Sequence, residues 1–161
     1  MSVDQTGVSN RDDILIVDVS NGRVTETIAN NNLYLVDAAW TPDSQRLAFG
    51  AFAIDLFRAA GRLYPTSRIE VYSFRDRRRA ILMQVPADTS AHDLAFSPDG
   101  RVLAMGIGSQ IYLYDGTSIQ RITTGRNPLW FADGKTVLFS RGYDCSGFLC
   151  AGDALYTISL P

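Results

Sequence analysis

Lysine and glutamate are nearly missing from this 161-residue chain. Lys135 is the single lysine among 15 basic residues, and Glu26 and Glu70 are the only glutamates among 17 acidic ones. These two residue types normally cover exposed helix surfaces, so their scarcity argues against a helical protein. There is one histidine, His92, and two cysteines, Cys145 and Cys150. Two cysteines cannot complete a four-ligand zinc site by themselves, and no second cluster is at hand to help them. No apolar run approaches the ~18 residues of a membrane-spanning helix. The first thirteen residues carry Asp4, Arg11, Asp12 and Asp13 where an export leader is apolar. A net charge of -2 excludes a strongly basic binder of nucleic acid or of an anionic membrane surface. No Gly-x-Ser-x-Gly segment occurs, so the usual strand-to-helix turn that presents a nucleophilic serine is missing.

The residues that are present point to β-structure. Most acidic residues are Asp, set beside Gly, Ser, Asn and Pro, which is turn chemistry. Three turn segments align: Ala39-Trp40-Thr41-Pro42-Asp43-Ser44, Ala95-Phe96-Ser97-Pro98-Asp99-Gly100 and Leu129-Trp130-Phe131-Ala132-Asp133-Gly134. In each, an aromatic ends one extended run, a tight turn follows, and a second apolar run begins. A third run recurs as Ile69-Glu70-Val71-Tyr72-Ser73, Ile111-Tyr112-Leu113-Tyr114-Asp115 and Leu155-Tyr156-Thr157-Ile158-Ser159, with an earlier copy at Ile14-Leu15-Ile16-Val17-Asp18. These copies end at residues 18, 73, 115 and 159, spacings of 55, 42 and 44, near the ~40–45 residues of a four-stranded propeller blade. A fourth run follows each internal copy, starting near Arg23, Arg79 and Ser118.

A four-stranded meander with two apolar faces cannot bury both alone and must stack on copies of itself around an axis. The expected fold class is therefore all-β: a β-propeller segment of about three four-stranded antiparallel blades. It divides into a partial blade over 1–30, blades over 31–86 and 87–124, and a partial blade over 125–161. Trp40, Phe96 and Trp130 are expected in the core at the blade seams. The amino-terminal pair supplies a blade's outer strands three and four, and the carboxyl-terminal trio supplies strands one to three. Merging them duplicates the third strand, so the segment is incomplete as a closed ring: either it is a piece of a longer propeller whose other blades lie elsewhere, or its open blade edges are completed by a partner.

The phrase aromatic-Ser/Thr-Pro-Asp-Gly/Ser, then a basic residue with Leu-Ala-Phe or Val-Leu-Ala, then Ile-Tyr-Leu-Tyr-Asp, resembles the WD40-like repeat of TolB-type propellers. The likeness is strongest over 92–123 and weaker over 126–160, where Ala132 stands in place of the usual proline. It implies the fold but not an activity, since such blades serve translocation and scaffold proteins, gating domains of oligopeptidases and sugar-processing enzymes.

Several groups are candidates for function. First strands line the axis, so Val36, His92 and Arg126, and beside them Asp37, Asp93 and Asn127, are expected around the channel entrance, either binding a small ligand or simply solvated. His92 has no serine to serve as partner in hydrolysis. The stretch from Phe52 to Arg68 reads as a long apolar loop, with a short amphipathic helical turn before Pro65. Ile54, Leu56, Phe57, Leu63 and Tyr64 are its candidate partner contacts, unless it folds back on its own blade. Arg77, Arg78 and Arg79 form a basic hairpin that is either solvated or faces an acidic partner. Cys145 and Cys150, spaced C-x4-C in one loop, suit a disulfide, with free thiols or a redox role as alternatives. A disulfide favours an extracytoplasmic address, against which the apolar leader is missing. The expectation is a non-catalytic interaction or structural subunit with no cofactor, no metal and no nucleic-acid partner, binding a protein or itself through its open edges, with membrane contact disfavoured. The rivals are the gating propeller of a hydrolase resembling prolyl oligopeptidases, and a small-ligand or sugar-binding propeller.

Overall fold

A computed structural model of the chain describes residues 13–31, 33–54, 65–85, 89, 91–142 and 153–160. Thirteen strands form four antiparallel sheets, and the described residues contain no helix. The first sheet pairs β1 (Ile14–Asp18) with β2 (Arg23–Ile28). The second runs in the order β3 (Tyr34–Trp40), β4 (Arg46–Ile54), β5 (Pro65–Ser73), β6 (Arg78–Gln84). The third contains β7 (Ala91–Phe96), β8 (Leu103–Ile107), β9 (Gln110–Tyr114) and β10 (Ile119–Thr124). The last contains β11 (Arg126–Trp130), β12 (Thr136–Gly142) and β13 (Asp153–Ser159). Within each sheet every strand pairs with its neighbour in sequence, and no sheet closes among the described residues. The molecule is an incomplete propeller.

The turns between first and second strands show why the repeated aspartates are needed. The Thr41 hydroxyl donates to the Asp43 carboxylate, which also accepts from the Gln45 N–H at 3.0 Å. In the next blade the Ser97 hydroxyl donates to Asp99 at 2.6 Å, and Asp99 accepts from the Arg101 N–H at 3.1 Å. The last repeat has Phe131 where the others have a hydroxyl residue. There Thr136 donates to Asp133 from the far side of the turn, at 2.8 Å. Gly100 and Gly134 turn the chain with φ of 72° and 66°, the left-handed region that glycine enters without steric cost.

Two cores join the sheets. One packs Ile14, Ile16 and Ile28 of the first sheet against Leu47, Phe49 and Tyr72 of the second. The other packs Ala48, Ile69 and Val85 against Ala91, Leu103, Met105 and Ile107 of the third. Alternation along each strand therefore gives every blade an upstream face, towards the preceding sheet, and a downstream face, towards the following one.

Two expectations need correction. The ladder between β4 and β5 runs out to Ile54 opposite Pro65, so the expected loop from Phe52 to Arg68 is shorter, and Pro65 opens a strand instead of stopping a helical turn. Trp40, expected in the core, is 46% exposed and stacks on Phe74 with ring centroids 4.9 Å apart. The seam that should cover it requires an inner strand of a preceding blade, and the first sheet holds only β1 and β2.

Candidate functional site

The backbone register brings the expected entrance residues to equivalent positions. Val36 pairs with Gly50, His92 with Gly106 and Arg126 with Ser140. The next residue in each strand, Asp37, Asp93 or Asn127, lies at a break in the ladder and has φ of 46°, 55° or 52°. Asp and Asn tolerate this left-handed conformation better than other side chains with a Cβ. The three bulges lie at one end of the blades, the end that also carries the connections 55–64 and 143–152. The Arg75–Arg79 hairpin lies at the opposite end of its blade.

Side-chain bonds occupy much of this end of the third and last sheets. Asp93 Oδ2 lies 2.8 Å from His92 Nδ1 and accepts from the Asn127 N–H of the next blade at 3.0 Å. His92 Nε2 donates to the Gly108 carbonyl at 3.0 Å. The imidazole packs against Gly106, where a Cβ would come within 2.4 Å of its Cε1 and 2.5 Å of its Nδ1. Asn127 Nδ2 donates to Ser140 Oγ at 3.1 Å. The bond from the Asn127 N–H to Asp93 thus ties one blade to the next, with His92 beside Asp93 on the same strand, while Asp37 and Arg126 stand exposed. Nearby, Gln110, Arg121, Thr123, Thr124 and Arg141 line an open depression of about 480 Å³. Arg141 donates to the Thr124 carbonyl at 2.9 Å and the Thr123 hydroxyl at 2.6 Å.

The arginines of the outer hairpin have separate fates. Arg79 is a structural tie: its Nε lies 2.6 Å from Glu70, which also holds Arg68 at 2.6 Å and is 4% exposed. Arg79 Nη1 donates to the Ala29 carbonyl, its guanidinium lies 5.1 Å from the Phe49 ring centroid, and its Nη2 is buried without a hydrogen-bond partner. Arg77 reaches Glu26 of the first sheet at 3.3 Å. Arg78 faces solvent. Ile54 ends β4, and its side chain lies outside the described residues, as do Leu56, Phe57, Leu63 and Tyr64 and the cysteines Cys145 and Cys150. Among the described residues no cluster of three His, Cys, Asp or Glu side chains is placed to hold a metal ion.

Exposed apolar side chains include several on the two end sheets, on faces that sequence reasoning did not single out, besides Val19 between β1 and β2 and Ile81 on β6. On the last sheet Leu129, Phe131 and Leu155 are 57%, 45% and 71% exposed; on the first, Leu15 and Val17 are 54% and 45% exposed. The signal was present in the repeats: Leu155 aligns with Ile69 and Ile111, each 0% exposed where a following blade covers it.

No protein-family model and no curated protein sequence matches the chain. Solved structures do resemble it. Over 91% of this chain, hydrazine synthase of Kuenenia stuttgartiensis superposes with a TM-score of 0.69 at 16% identity, and TolB of Acinetobacter baumannii with 0.67 at 20% identity. The β-propeller domain of the trilobed protease from Pyrococcus furiosus matches 68% of the chain with a TM-score of 0.51 at 17% identity. The chain spans 51%, 35% and 34% of those three proteins' lengths. At these identities the likeness is one of fold: a TolB-type β-propeller, represented by a segment. TolB and proteins named as a synthase and a protease share it.

Proposed function

We propose that the chain is a non-catalytic interaction or structural subunit whose contacts are made by its end faces and its long β4–β5 connection. The exposure of Leu155 beside the complete burial of its equivalents Ile69 and Ile111 carries this reading. A contiguous apolar face on a rigid sheet marks a contact surface. The expected entrance residues support the same view, since His92, Asp93 and Asn127 are engaged with neighbouring protein groups, Asp93 with the next blade.

The test is the native mass of the complex isolated from its source, for the parent chain and for a Phe57→Asp, Leu63→Asp double variant. Release of a partner by the variant, with the far-ultraviolet circular dichroism unchanged, supports the connection as a contact. A complex that survives it removes the connection from the reading. No complex at all removes the reading itself.

A second reading is the gating propeller of a peptidase, with the Pyrococcus furiosus likeness in its favour. It requires a hydrolase domain encoded on the same transcript.

A further inference from the structure

Independently of the interaction reading, we propose that the depression where Arg141 of the last sheet meets the third sheet binds a small hydrophilic anion. The phosphate or carboxylate group of that molecule is held by Arg121 and Arg141.

Arg141 stands where a blade seam does not call for a charge. It follows Ser140 along its strand as Ala51 follows Gly50 and Ile107 follows Gly106, the three pairing partners of Arg126, Val36 and His92. Ala51 and Ile107 are 1% and 7% exposed, so an apolar side chain closes this part of a seam twice in the same chain. An arginine in their place has to keep its charge within reach of water or of a counter-ion. Its orientation is fixed by four contacts. The guanidinium carbon lies 5.4 Å from the Phe139 ring centroid and 5.1 Å from that of Tyr156, while Nε and Nη2 donate to the Thr124 carbonyl and the Thr123 hydroxyl of the preceding blade. An arginine has five N–H donors. The two on Nη1 and the second on Nη2 therefore have no protein acceptor among the described residues.

Arg121 reaches the same place from β10. Its Nη1 donates to Gln110 Oε1 at 3.4 Å, and the Thr124 hydroxyl donates to that same oxygen at 3.4 Å. Since the Thr124 carbonyl accepts from Arg141, only Gln110 and Thr124 stand between the two guanidinium groups. Among the described residues neither arginine is paired with a carboxylate, whereas Arg68, Arg77, Arg79 and Arg101 each are. Two cations drawn to one threonine repel, and an anion shared between them removes the repulsion.

The lining defines the class of ligand. A guanidinium presents paired N–H groups that match two oxygens of a carboxylate or phosphate. Gln110, Thr123 and Thr124 add amide and hydroxyl groups, and Ile122 is the one apolar residue in the lining, which suits a hydroxylated body and not an apolar one. The volume of about 480 Å³ falls within the roughly 300–1,000 Å³ of small-ligand sites.

The experiment titrates the purified 161-residue chain with sodium phosphate and, separately, with sodium citrate, by isothermal calorimetry at one low ionic strength. Saturable binding is expected with a Kd of about 0.1–1 mM; tighter phosphate identifies a phosphoryl ligand, tighter citrate a carboxylate. Arg121→Gln gives up only the long bond to Gln110 within the protein, so its circular dichroism and urea midpoint should match the parent while Kd rises about tenfold or more. Arg141→Lys keeps the charge but not the paired N–H groups, and should weaken binding as well. Arg23→Gln, on the exposed turn side of the first sheet, should leave Kd unchanged. Absence of saturable binding up to about 10 mM of either anion overturns the proposal. So does a Kd that Arg121→Gln leaves alone, or one that Arg23→Gln raises equally, the mark of diffuse attraction to positive charge. None of these outcomes bears on the interaction reading, which rests on other faces of the molecule.

Discussion

Gly106 supports His92 with its bare Cα, and there is no room for a methyl group between them. Gly106→Ala is expected to lift the imidazole, break its bond to the Gly108 carbonyl and destabilise the chain by about 1–3 kcal/mol, the range of overpacked sites, read as a lower urea midpoint. Glu70 sits between Arg68 and Arg79 at the join of the first and second sheets. Removing the carboxylate leaves both guanidinium groups uncompensated in a largely dry place. Glu70→Ala should therefore cost about 3 kcal/mol, measured in the same titration. Arg78→Ala, on the same hairpin but facing solvent, should change stability by less than about 0.5 kcal/mol.

Turns and bulges explain how the strands keep their register. In the three first-to-second-strand turns, hydrogen bonds from Thr41, Ser97 and the Lys135 N–H are the leading causes holding the carboxyls of Asp43, Asp99 and Asp133 below the ordinary value of 3.8. In the third-to-fourth-strand turn of the middle blade, N–H groups of Ser118 and Thr117 lower Asp115 further. A carboxyl whose folded pKa is depressed binds protons more readily once unfolded. Its stabilisation is complete above the unfolded value of about 3.9 and is lost as pH falls through the lower folded value. Melting temperature should therefore be flat in this respect from neutral pH to about pH 5 and fall below about pH 4. Asn at positions 43, 99, 115 and 133 together should flatten that acid limb. The left-handed residues Asp37, Asp93 and Asn127 are strand elements of another kind. Each marks a break in the ladder of its first strand, and Asp93 carries the bond to the next blade.

Across the whole molecule, stability resides in seams more than in single sheets, as in other stacked-repeat proteins. The two tryptophans report this. Trp130→Phe leaves the Ala95 carbonyl without its donor and should cost about 1–3 kcal/mol in thermal or urea unfolding of the chain. Trp40→Phe breaks no such bond among the described residues, and it should cost less than half as much. A reversed order of the two would mean that Trp40 is already covered by a preceding strand.

The all-β class, the four groups of strands and the equivalence of Val36, His92 and Arg126 were legible in the sequence, because each depends on local rules. Alternation sets strand faces, Asp with Gly or Ser sets turns, and repetition sets the register of one blade against the next. Tertiary structure alone decided which equivalent positions are covered. Ile69, Ile111 and Leu155 look alike in the sequence, yet two are sealed and one is open, because burial depends on whether another blade follows. The same cause exposes Trp40 and seats Trp130. The hairpin arginines read as one basic patch along the chain, while folding commits Arg79 to Glu70, Arg77 to Glu26 and Arg78 to solvent. A charge run in sequence has no direction until the hairpin is built: Arg77 lies in the left-handed turn, and alternation along β6 sends Arg78 and Arg79 to opposite faces.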